Sequence, residues 1–576
     1  MSNSTKMDSL LVIPLLLIMN MFLQFKQCES SAHDIYKEQL KDDYYRSGLD
    51  LTMMNSRLEP NVKPAKNVIF FLGDGMGIST TTAARILDGQ NKNQNGEENV
   101  LAWEQFPYTA FSKTYNTDAQ VPDSAGTATA FACGVKTKQG ILGLNSKAKF
   151  GDCESAKGNE VLSILTYAEL AGMSTGIIST TRVTHATPAA FFSQTPSRQW
   201  ENDQAAKGNC IDISRQLVDF KYGDGIDVAL GGGWRSFLPC GGIDPEGKML
   251  KGRKCRNDRR NLTEEWLEKR NRSAVAWNKN DLKNIDASKV DHLLGLFASS
   301  AMQFEVLRPD TNRTHEPGFL EMVEKAIEVL SKNPKGFFLM AEGGLIDWGH
   351  HANSAHWALT ETLFMERAVK RAQKMVNTSD TLIIVSADHS HSFVHYGNVK
   401  RGNPIFGFQS DLPDDGKPAL SLSYGDGSVG LSGNQVRANL TGANYNDKHF
   451  KQQALVKRYY ESHSAEDVGI YATGPFAHLF HGVVEQSYIF HVMDYALCLT
   501  KDKQKMCQKP TERGGSIPTE RGGSIPTERG GSIPTAKLDC ICPTSRSANV
   551  SSNLFFIIAI LTIALFCFKK YDYCSN

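Results

Sequence analysis

The sequence predicts an α/β protein built on a large, mostly parallel central sheet with helices on both faces. Two observations predict it. Six short apolar runs recur along the chain between helical stretches, each near-continuous rather than alternating, as expected of strands buried on both faces. Several of these runs end in Asp, Glu or His, and doubly wound sheets bind their ligands beyond the carboxyl ends of their strands.

The runs are Val68–Leu72, Gly176–Ile178, Val228–Leu230, Gly336–Ala341, Thr381–Val385 and Val468–Tyr471. Ahead of them, residues 33–50 carry Ile35, Leu40, Tyr44 and Leu49 among charges, which predicts an amphipathic helix. Between them, residues 234–320 are polar and rich in Arg and Lys, and residues 396–450 are rich in Gly, Pro, Asn and Asp. Both stretches are expected to be insertions or surface subdomains on a catalytic domain spanning residues 33–507.

A chain of 576 residues is long enough for one large enzyme core. Its 63 Lys and Arg against 62 Asp and Glu leave a net charge of +1, so no nucleic-acid-binding patch is expected. Lys6 followed by an apolar stretch from Leu10 to Leu23 reads as a secretory signal peptide, taken as residues 1–32. Sequons at Asn261, Asn271, Asn312, Asn377, Asn439 and Asn549 fit an extracytoplasmic glycoprotein. In an oxidising compartment Cys240/Cys255 and Cys498/Cys507 are the expected disulfides, with Cys153/Cys210 next, while Cys133 reads as a buried free thiol.

From Thr511 the octapeptide Thr-Glu-Arg-Gly-Gly-Ser-Ile-Pro is written three times, too poor in apolar residues to bury a core, so residues 508–553 read as a flexible stalk. Leu554 to Phe568 is uninterrupted apolar sequence. At 1.5 Å per residue it reaches about 22 Å, short of a hydrocarbon core of roughly 30 Å. Residues 554–576 therefore read as a hydrophobic signal for a glycolipid anchor at the outer leaflet of the plasma membrane. The alternative is a C-terminal transmembrane helix, for which Lys569 and Lys570 would be the stop-transfer flank.

The chemistry lies at the ends of the runs. Val68–Leu72 leads into Gly73-Asp74-Gly75, Phe337–Ala341 into Glu342 and then Asp347 and His351, and Leu382–Val385 toward Asp388-His389-Ser390-His391. Asp347 and His351 are four apart, so one helical turn presents both on one face. A single Asp after a strand is ordinarily a cap, and a single His an ordinary core residue. Seven such groups together are too costly to bury unless cations neutralise them. Mixed Asp and His sites suit tetrahedral zinc, whereas all-oxygen sites completed by water suit magnesium. Ser124, followed by Ala125-Gly126-Thr127-Ala128, is placed to begin a helix whose positive end would lie beside its hydroxyl and bind phosphate. Without the acidic and imidazole cluster, Ser124 or Asp123 would read as an N-cap and nothing more.

Long signatures now coincide in order: Phe71-Leu72-Gly73-Asp74-Gly75-Met76-Gly77, Asp123-Ser124-Ala125-Gly126-Thr127-Ala128, Thr184-His185-Ala186-Thr187-Pro188, Glu342-Gly343-Gly344-Leu345-Ile346-Asp347, Ala387-Asp388-His389-Ser390-His391, and His463 within Ser462–Asp467. On these the chain resembles the animal-type glycolipid-anchored alkaline phosphatases from about residue 36 to Cys507. The resemblance implies a membrane-anchored homodimer that hydrolyses phosphate monoesters through a phosphoserine, with two Zn2+ and one Mg2+ per subunit. It implies that Asp347, His351 and His463 hold the first zinc, that Asp388, His389 and Asp74 hold the second beside Ser124, and that Asp74, Thr187 and Glu342 hold magnesium. Arg198 matches the arginine that clamps phosphate, and Asp123, His185 and His391 are expected to support these groups. Two departures stand out. Ala298 after Phe297, and Arg313, occupy places where acids supply a calcium-type fourth site in animal members, so no fourth site is expected. Trp348 stands where animal members usually have His and bacterial ones Lys.

The same metal scaffold serves phosphodiesterases and sulfatases, but Ser124 with Arg198 and a magnesium-type site favours monoesters. A surface protein that had lost catalysis and served in adhesion would be expected to have lost some of these groups. None is missing.

Overall fold

In the computed structural model, which describes residues 9–252 and 255–500, the apolar runs become interior strands. The strands are, in chain order, β1 (Asn67–Gly73), β2 (Tyr108–Lys113), β3 (Ser174–Arg182), β4 (Val228–Gly232), β5 (Ser273–Ala276), β6 (His292–Leu296), β7 (Phe337–Gly343) and β8 (Thr381–Ala387). They continue as β9 (Ser390–His391), β10 (Phe393–His395), β11 (Leu422–Gly427), β12 (Ala454–Lys457), β13 (His463–Ser464), β14 (Val468–Thr473) and β15 (Val483–Glu485). Ten form one sheet in the order β15-β2-β14-β8-β1-β7-β3-β4-β6-β5. From β8 to β5 every neighbouring pair is parallel, and β14 runs antiparallel to β8 and β2.

Strands β1, β7 and β8 are buried at every residue, which explains why their sequences show no polar alternation. Along β1, Val68, Phe70 and Leu72 enter one core layer, while Ile69 and Phe71 enter the layer on the other face. The first layer includes the helix Ser124–Cys133, all ten of whose residues are buried. Its run of Ala, Gly and Thr permits that close fit, because a Cβ added at Gly126 would lie 2.4 Å from Asn116 Oδ1. Phe131 carries the helix onto the sheet, with its ring centroid 5.2 Å from that of Phe70. The helix ends where Gly134 turns left-handed at φ 73°. The second layer is covered by the long helix Ala355–Met375, capped by Ser354, which accepts from Trp357 N–H.

The register sets the site. Leu72 pairs with Glu342 and Gly73 with Ala387, so Asp74, Glu342 and Asp388 leave the sheet at the same edge. A short antiparallel pair, β9 with β13, sets His463 opposite His391.

Two expectations are corrected and a third gains detail. Residues 33–50 do not form one helix: helix Ser9–Gln39 stops, and helix Asp43–Ser56 restarts where Asp42 accepts from Tyr45 N–H. Residues 234–320 do not stand apart from the sheet, since β5 and β6 within them extend it beyond β4. Residues 396–450 do lie largely in loops, but β11 within them joins β10 and β12 in a three-stranded sheet. Disulfides link Cys153 to Cys210 and Cys240 to Cys255, Cys498 is also disulfide-bonded, and Cys133 is a buried thiol that burial pushes up to about 12. Cys507 as partner of Cys498, the stalk and the C-terminal apolar tail lie outside the described residues, as does the start of the leader. Among the described residues no helix is long and apolar enough to cross a membrane.

Candidate active site and metal centre

Segments leaving β1, β7 and β8 converge at the carboxyl edge of the sheet. Gly75 follows Asp74 at φ 68°, and a Cβ there would lie 2.3 Å from the His391 ring, so glycine is what lets this turn close onto the cluster. The short helix Leu345–His351 brings Asp347 and His351 round one turn onto the same side.

Two groups of ligand atoms result. Asp347 Oδ1 lies 3.3 Å from His351 Nε2 and 3.2 Å from His463 Nε2, and the two imidazole nitrogens are 3.2 Å apart. In the second group His389 Nε2 is 3.1 Å from Asp388 Oδ2, 3.4 Å from Asp74 Oδ1 and 3.3 Å from Ser124 Oγ, which is itself 3.4 Å from Asp74 Oδ1. A tetrahedral zinc with arms of about 2.0–2.2 Å has edges of roughly 3.3–3.6 Å, so both groups have the spacing zinc requires to within a few tenths of an ångström.

The ring tautomers agree. His351 Nδ1 lies 2.5 Å from Glu461 O, His463 Nδ1 2.8 Å from Pro122 O, and His389 Nδ1 3.2 Å from Ser390 O. A carbonyl only accepts, so each Nδ1 carries the proton and each Nε2 lone pair is left for a cation.

Beside the second group lies an all-oxygen set. Asp74 Oδ2, Thr187 Oγ1 and Glu342 Oε1 are buried and have no hydrogen-bond partner. Glu342 Oε2 is meanwhile held by Ser179 Oγ and, at 3.4 Å, by Thr181 Oγ1. Three orphaned oxygens in one buried place are the environment a hard cation satisfies. His185 joins Asp74 and Glu342 there, with ligand atoms all within 4.8 Å of one another. Arg198 Nη2 lies 3.1 Å from His185 Nε2, and a guanidinium only donates, so His185 keeps its proton on Nδ1, a buried donor without a protein partner.

The electrostatics call for positive charge. Burial, reinforced by Asp388, Asp347 and Glu342, holds Asp74 well above the usual carboxylate range, and burial likewise raises Asp388 and lifts Glu342 to about 7. Burial keeps His389 and His185 well below the usual imidazole value, which suits neutral nitrogen ligands and donors. Asp347 is the exception: burial is outweighed by His351, His391 and His463, which hold it well below its ordinary value.

Ser124 sits at the first position of its helix, with Asp123 as cap accepting from Gly126 N–H at 3.1 Å. Asp123 also takes Arg198 Nη1 at 3.1 Å, so the guanidinium is fixed between Asp123 and His185. Trp348 is half-buried, its ring edge-on to His185 at 6.3 Å and under the Arg182 guanidinium at 5.8 Å. Arg313 pairs with Glu316 at 3.1 Å and faces Glu246 at 3.6 Å, so a guanidinium stands among those acids, and buried Ala298 brings no carboxylate.

All thirteen residues singled out in the sequence fall in or against this one site. Sequence reasoning missed Glu461, Ser179 and Thr181. Glu461 is buried and lies two residues before His463, the spacing that puts two side chains on one side of an extended chain, but a lone Glu-Ser-His carries no recognisable pattern.

A doubly wound sheet with a serine at a helix N-terminus, set among clustered carboxylates and imidazoles, defines a metal-dependent hydrolase. The alkaline phosphatase family profile matches residues 65–499. The chain is 45% identical over 497 residues to the tissue-nonspecific alkaline phosphatase of Felis catus, covering 84% of this chain and 94% of that one. It is 44% identical over 471 residues to the alkaline phosphatase of Gadus morhua, covering 80% and 97%. The fold matches alkaline phosphatases from Thermus thermophilus (TM-score 0.56, 23% identity, 78% and 97% covered) and the Antarctic bacterium TAB5 (0.54, 23%, 76% and 100%). The chain belongs to the alkaline phosphatase family and is a phosphomonoesterase.

Proposed function

We propose that the chain is a secreted, membrane-anchored hydrolase of phosphate monoesters, broad in the alcohol it accepts, working through a phosphoserine on Ser124 at a site for two zinc ions and one magnesium ion. One observation above all supports this reading: the Ser124 hydroxyl lies 3.3 Å from His389 Nε2 and 3.4 Å from Asp74 Oδ1, as one corner of a group with zinc spacing. Asp347, His351 and His463 hold the first zinc, Asp74, Asp388 and His389 the second, and Asp74, Thr187 and Glu342 magnesium. When bound, these ions lower the pKa of hydroxyl and water, and neutralise charge on the departing oxygen.

The residues do the rest. Ser124 Oγ gives its proton to solvent hydroxide and attacks phosphorus in line with the leaving alcohol, so the bond from phosphorus to the alcohol breaks as the bond to serine forms. The departing alkoxide takes a proton from water and leaves hydroxide. A second water then attacks the phosphoserine from the vacated side, returns one proton to Ser124 Oγ as the serine bond breaks, and releases inorganic phosphate. Arg198, pinned by Asp123 and His185, presents two parallel N–H donors to the phosphoryl oxygens, a fork that lysine cannot match. The N-terminus of the Ser124 helix adds its positive dipole end to the same anion. Recognition of the phosphoryl group leaves selectivity for the alcohol low.

Hydrolysis of p-nitrophenyl phosphate at alkaline pH tests the reading. Activity should vanish with a chelator and return with zinc plus magnesium. Arg198→Ala should bind inorganic phosphate about 10–100-fold more weakly with metal content unchanged, as loss of a charge-assisted pair predicts. Full activity in chelator, or unaltered phosphate affinity in the variant, would overturn these roles.

Trp348 tunes the same anion. An indole offers one neutral N–H where an imidazole offers a charged donor, and charge-assisted bonds are roughly twice as strong as neutral ones. Trp348→His should tighten phosphate inhibition severalfold, about 1 kcal/mol, and shift the pH–rate profile at constant zinc content. If neither changes, Trp348 does no more than pack against Arg182 and His185.

A leader in residues 1–32 and a glycolipid signal in residues 554–576 would place the enzyme on the outer cell surface. Exposure of Asn271, Asn312, Asn377 and Asn439 is consistent with glycosylation there. Helix Asp43–Ser56 buries none of its residues and exposes Leu49, Leu51, Met53 and Met54, which suits packing against a second subunit in a homodimer. Phosphatidylinositol-specific phospholipase C should release activity from membranes. Recovery of Leu554–Phe568 in the mature chain would instead establish a transmembrane helix.

A further inference from the structure

We propose that Glu461 is a positioning residue for the first metal site, organising Asp347, His351 and His463 together. The inference rests on the zinc assignment above and extends it to a residue outside the ligand set.

Glu461 reaches all three ligands by different routes. Its side chain holds His391, with Oε2 2.5 Å from Nδ1, and the opposite nitrogen of that ring lies 2.8 Å from Asp347 Oδ1. The carboxylate thus orients a ligand carboxylate through one imidazole. Its backbone carbonyl lies 2.5 Å from His351 Nδ1, which turns His351 Nε2 toward the cluster, and its N–H donates to His351 O at 3.2 Å. Two residues on, the same segment supplies His463 itself, paired across β13 and β9 with His391.

The segment is itself fixed. Glu461 Oε1 accepts from Ser392 N–H at 2.7 Å and Ser392 Oγ at 2.6 Å. Ser462 N–H and Oγ both bond to the Asp426 carboxylate of β11, at 2.9 and 2.8 Å. With Oε1 taken twice and Oε2 on His391, the carboxylate serves hydrogen bonds and not a cation, although it lies close to His351 and His391. Groups that hold metal-ligating imidazoles and carboxylates typically change metal affinity 10–100-fold when altered.

The experiment compares the full-length enzyme with Glu461→Gln, Glu461→Asp and the ligand variant His351→Ala. Zinc retained per chain is read against a graded chelator, and the absorption bands of the cobalt-substituted protein report ligand geometry. In Glu461→Gln one of two zinc ions should be held 10–100-fold more weakly while the other is unchanged, with altered cobalt bands, kcat lowered more than KM, and kcat recovered in excess zinc. Glu461→Asp should fall between this variant and the parent. Zinc affinity and cobalt bands like those of the parent would overturn the proposal. Complete loss of one zinc, matching His351→Ala, would make Glu461 a ligand and also overturn it. Equal loss of melting temperature in metal-free and metal-loaded Glu461→Gln, with zinc affinity intact, would leave a purely structural role. A parent enzyme that binds no zinc would overturn the zinc assignment itself, which separates that failure from failure of the Glu461 proposal.

Discussion

Replacing Ser124 by Ala is expected to lower phosphomonoesterase turnover by about three orders of magnitude or more, while leaving the fold and metal content nearly unchanged. The loss is large because the hydroxyl is the one group proposed to bond to phosphorus, whereas the nearby Thr127 hydroxyl, 3.4 Å from Asp388 Oδ2, is engaged by the Asp123 carbonyl at 3.1 Å. The structural cost is small for three reasons. Alanine is a good helix former at the first position, Asp123 and not Ser124 caps the helix, and Asp74, Asp388 and His389 keep their mutual spacing without it. Turnover and zinc content measured on the same preparation check this. Turnover within tenfold of the parent would remove Ser124 from the chemistry, and loss of zinc in proportion to activity would make it chiefly a ligand.

Metal removal is expected to do more than stop turnover: it should make stability fall as pH rises from 7 to 9. Burial raises Asp74 and Asp388 and brings Glu342 to about 7, while Glu461 and Asp347 bring His391 to about 10 against the effect of burial. A group whose folded pKa is raised adds stability below its unfolded value, and that stability is lost as pH climbs through the folded value. For Glu342 the window runs from the ordinary carboxylate range to about 7, Asp74 adds loss above the ordinary carboxylate range, and His391 carries the loss on toward about 10. His185, His351 and His389 shift the other way, so their contribution grows only up to the unfolded imidazole value near 6.5 and is constant above it. Asp347, held low, matters only at acid pH. Glu169 and Glu361, buried elsewhere, are raised in metal-free and metal-loaded protein alike, so the quantity to measure is the difference in melting temperature between the two forms. That difference should widen by several degrees between pH 7 and pH 9. A difference that narrows would mean that the buried carboxylates are not what the cations compensate.

Much of the fold was legible because burial on both faces leaves a plain trace. Val68–Leu72 and Leu382–Val385 cannot be mistaken for amphipathic elements, and they became adjacent central strands. Of the strands that escaped notice, β2 and β5 lack that trace, and β6 carries it over five residues only, with His292 and Gly295 among them. β2, Tyr108–Lys113, lies between β15 and β14 and alternates buried with exposed residues, so its sequence looks like a surface segment. β5 and β6 are four and five residues long within a polar stretch, and only the pairing of β6 with β4 and of β5 with β6 identifies them as sheet. The candidate site was legible in two ways: residue type near strand ends pointed to Asp74, Glu342, Asp347, His351, Asp388, His389 and His391, and the family resemblance pointed to Thr187, Arg198 and His463. Asp, His and Glu at strand ends are unusual, and the parallel register brings them together without long-range information. What could not be read was support: Glu461 is 70 positions from His391, and Ser179 is 163 from Glu342, distances over which neither spacing nor residue type signals contact.

The central claim is a covalent phosphoenzyme at Ser124 among the metal ligands. It is tested most directly by quenching the enzyme with labelled inorganic phosphate at mildly acidic pH and mapping the trapped label. One phosphoserine per subunit is expected, in the peptide holding Asp123-Ser124-Ala125 and absent after chelation. Label on any other residue, or label that survives Ser124→Ala, would contradict it.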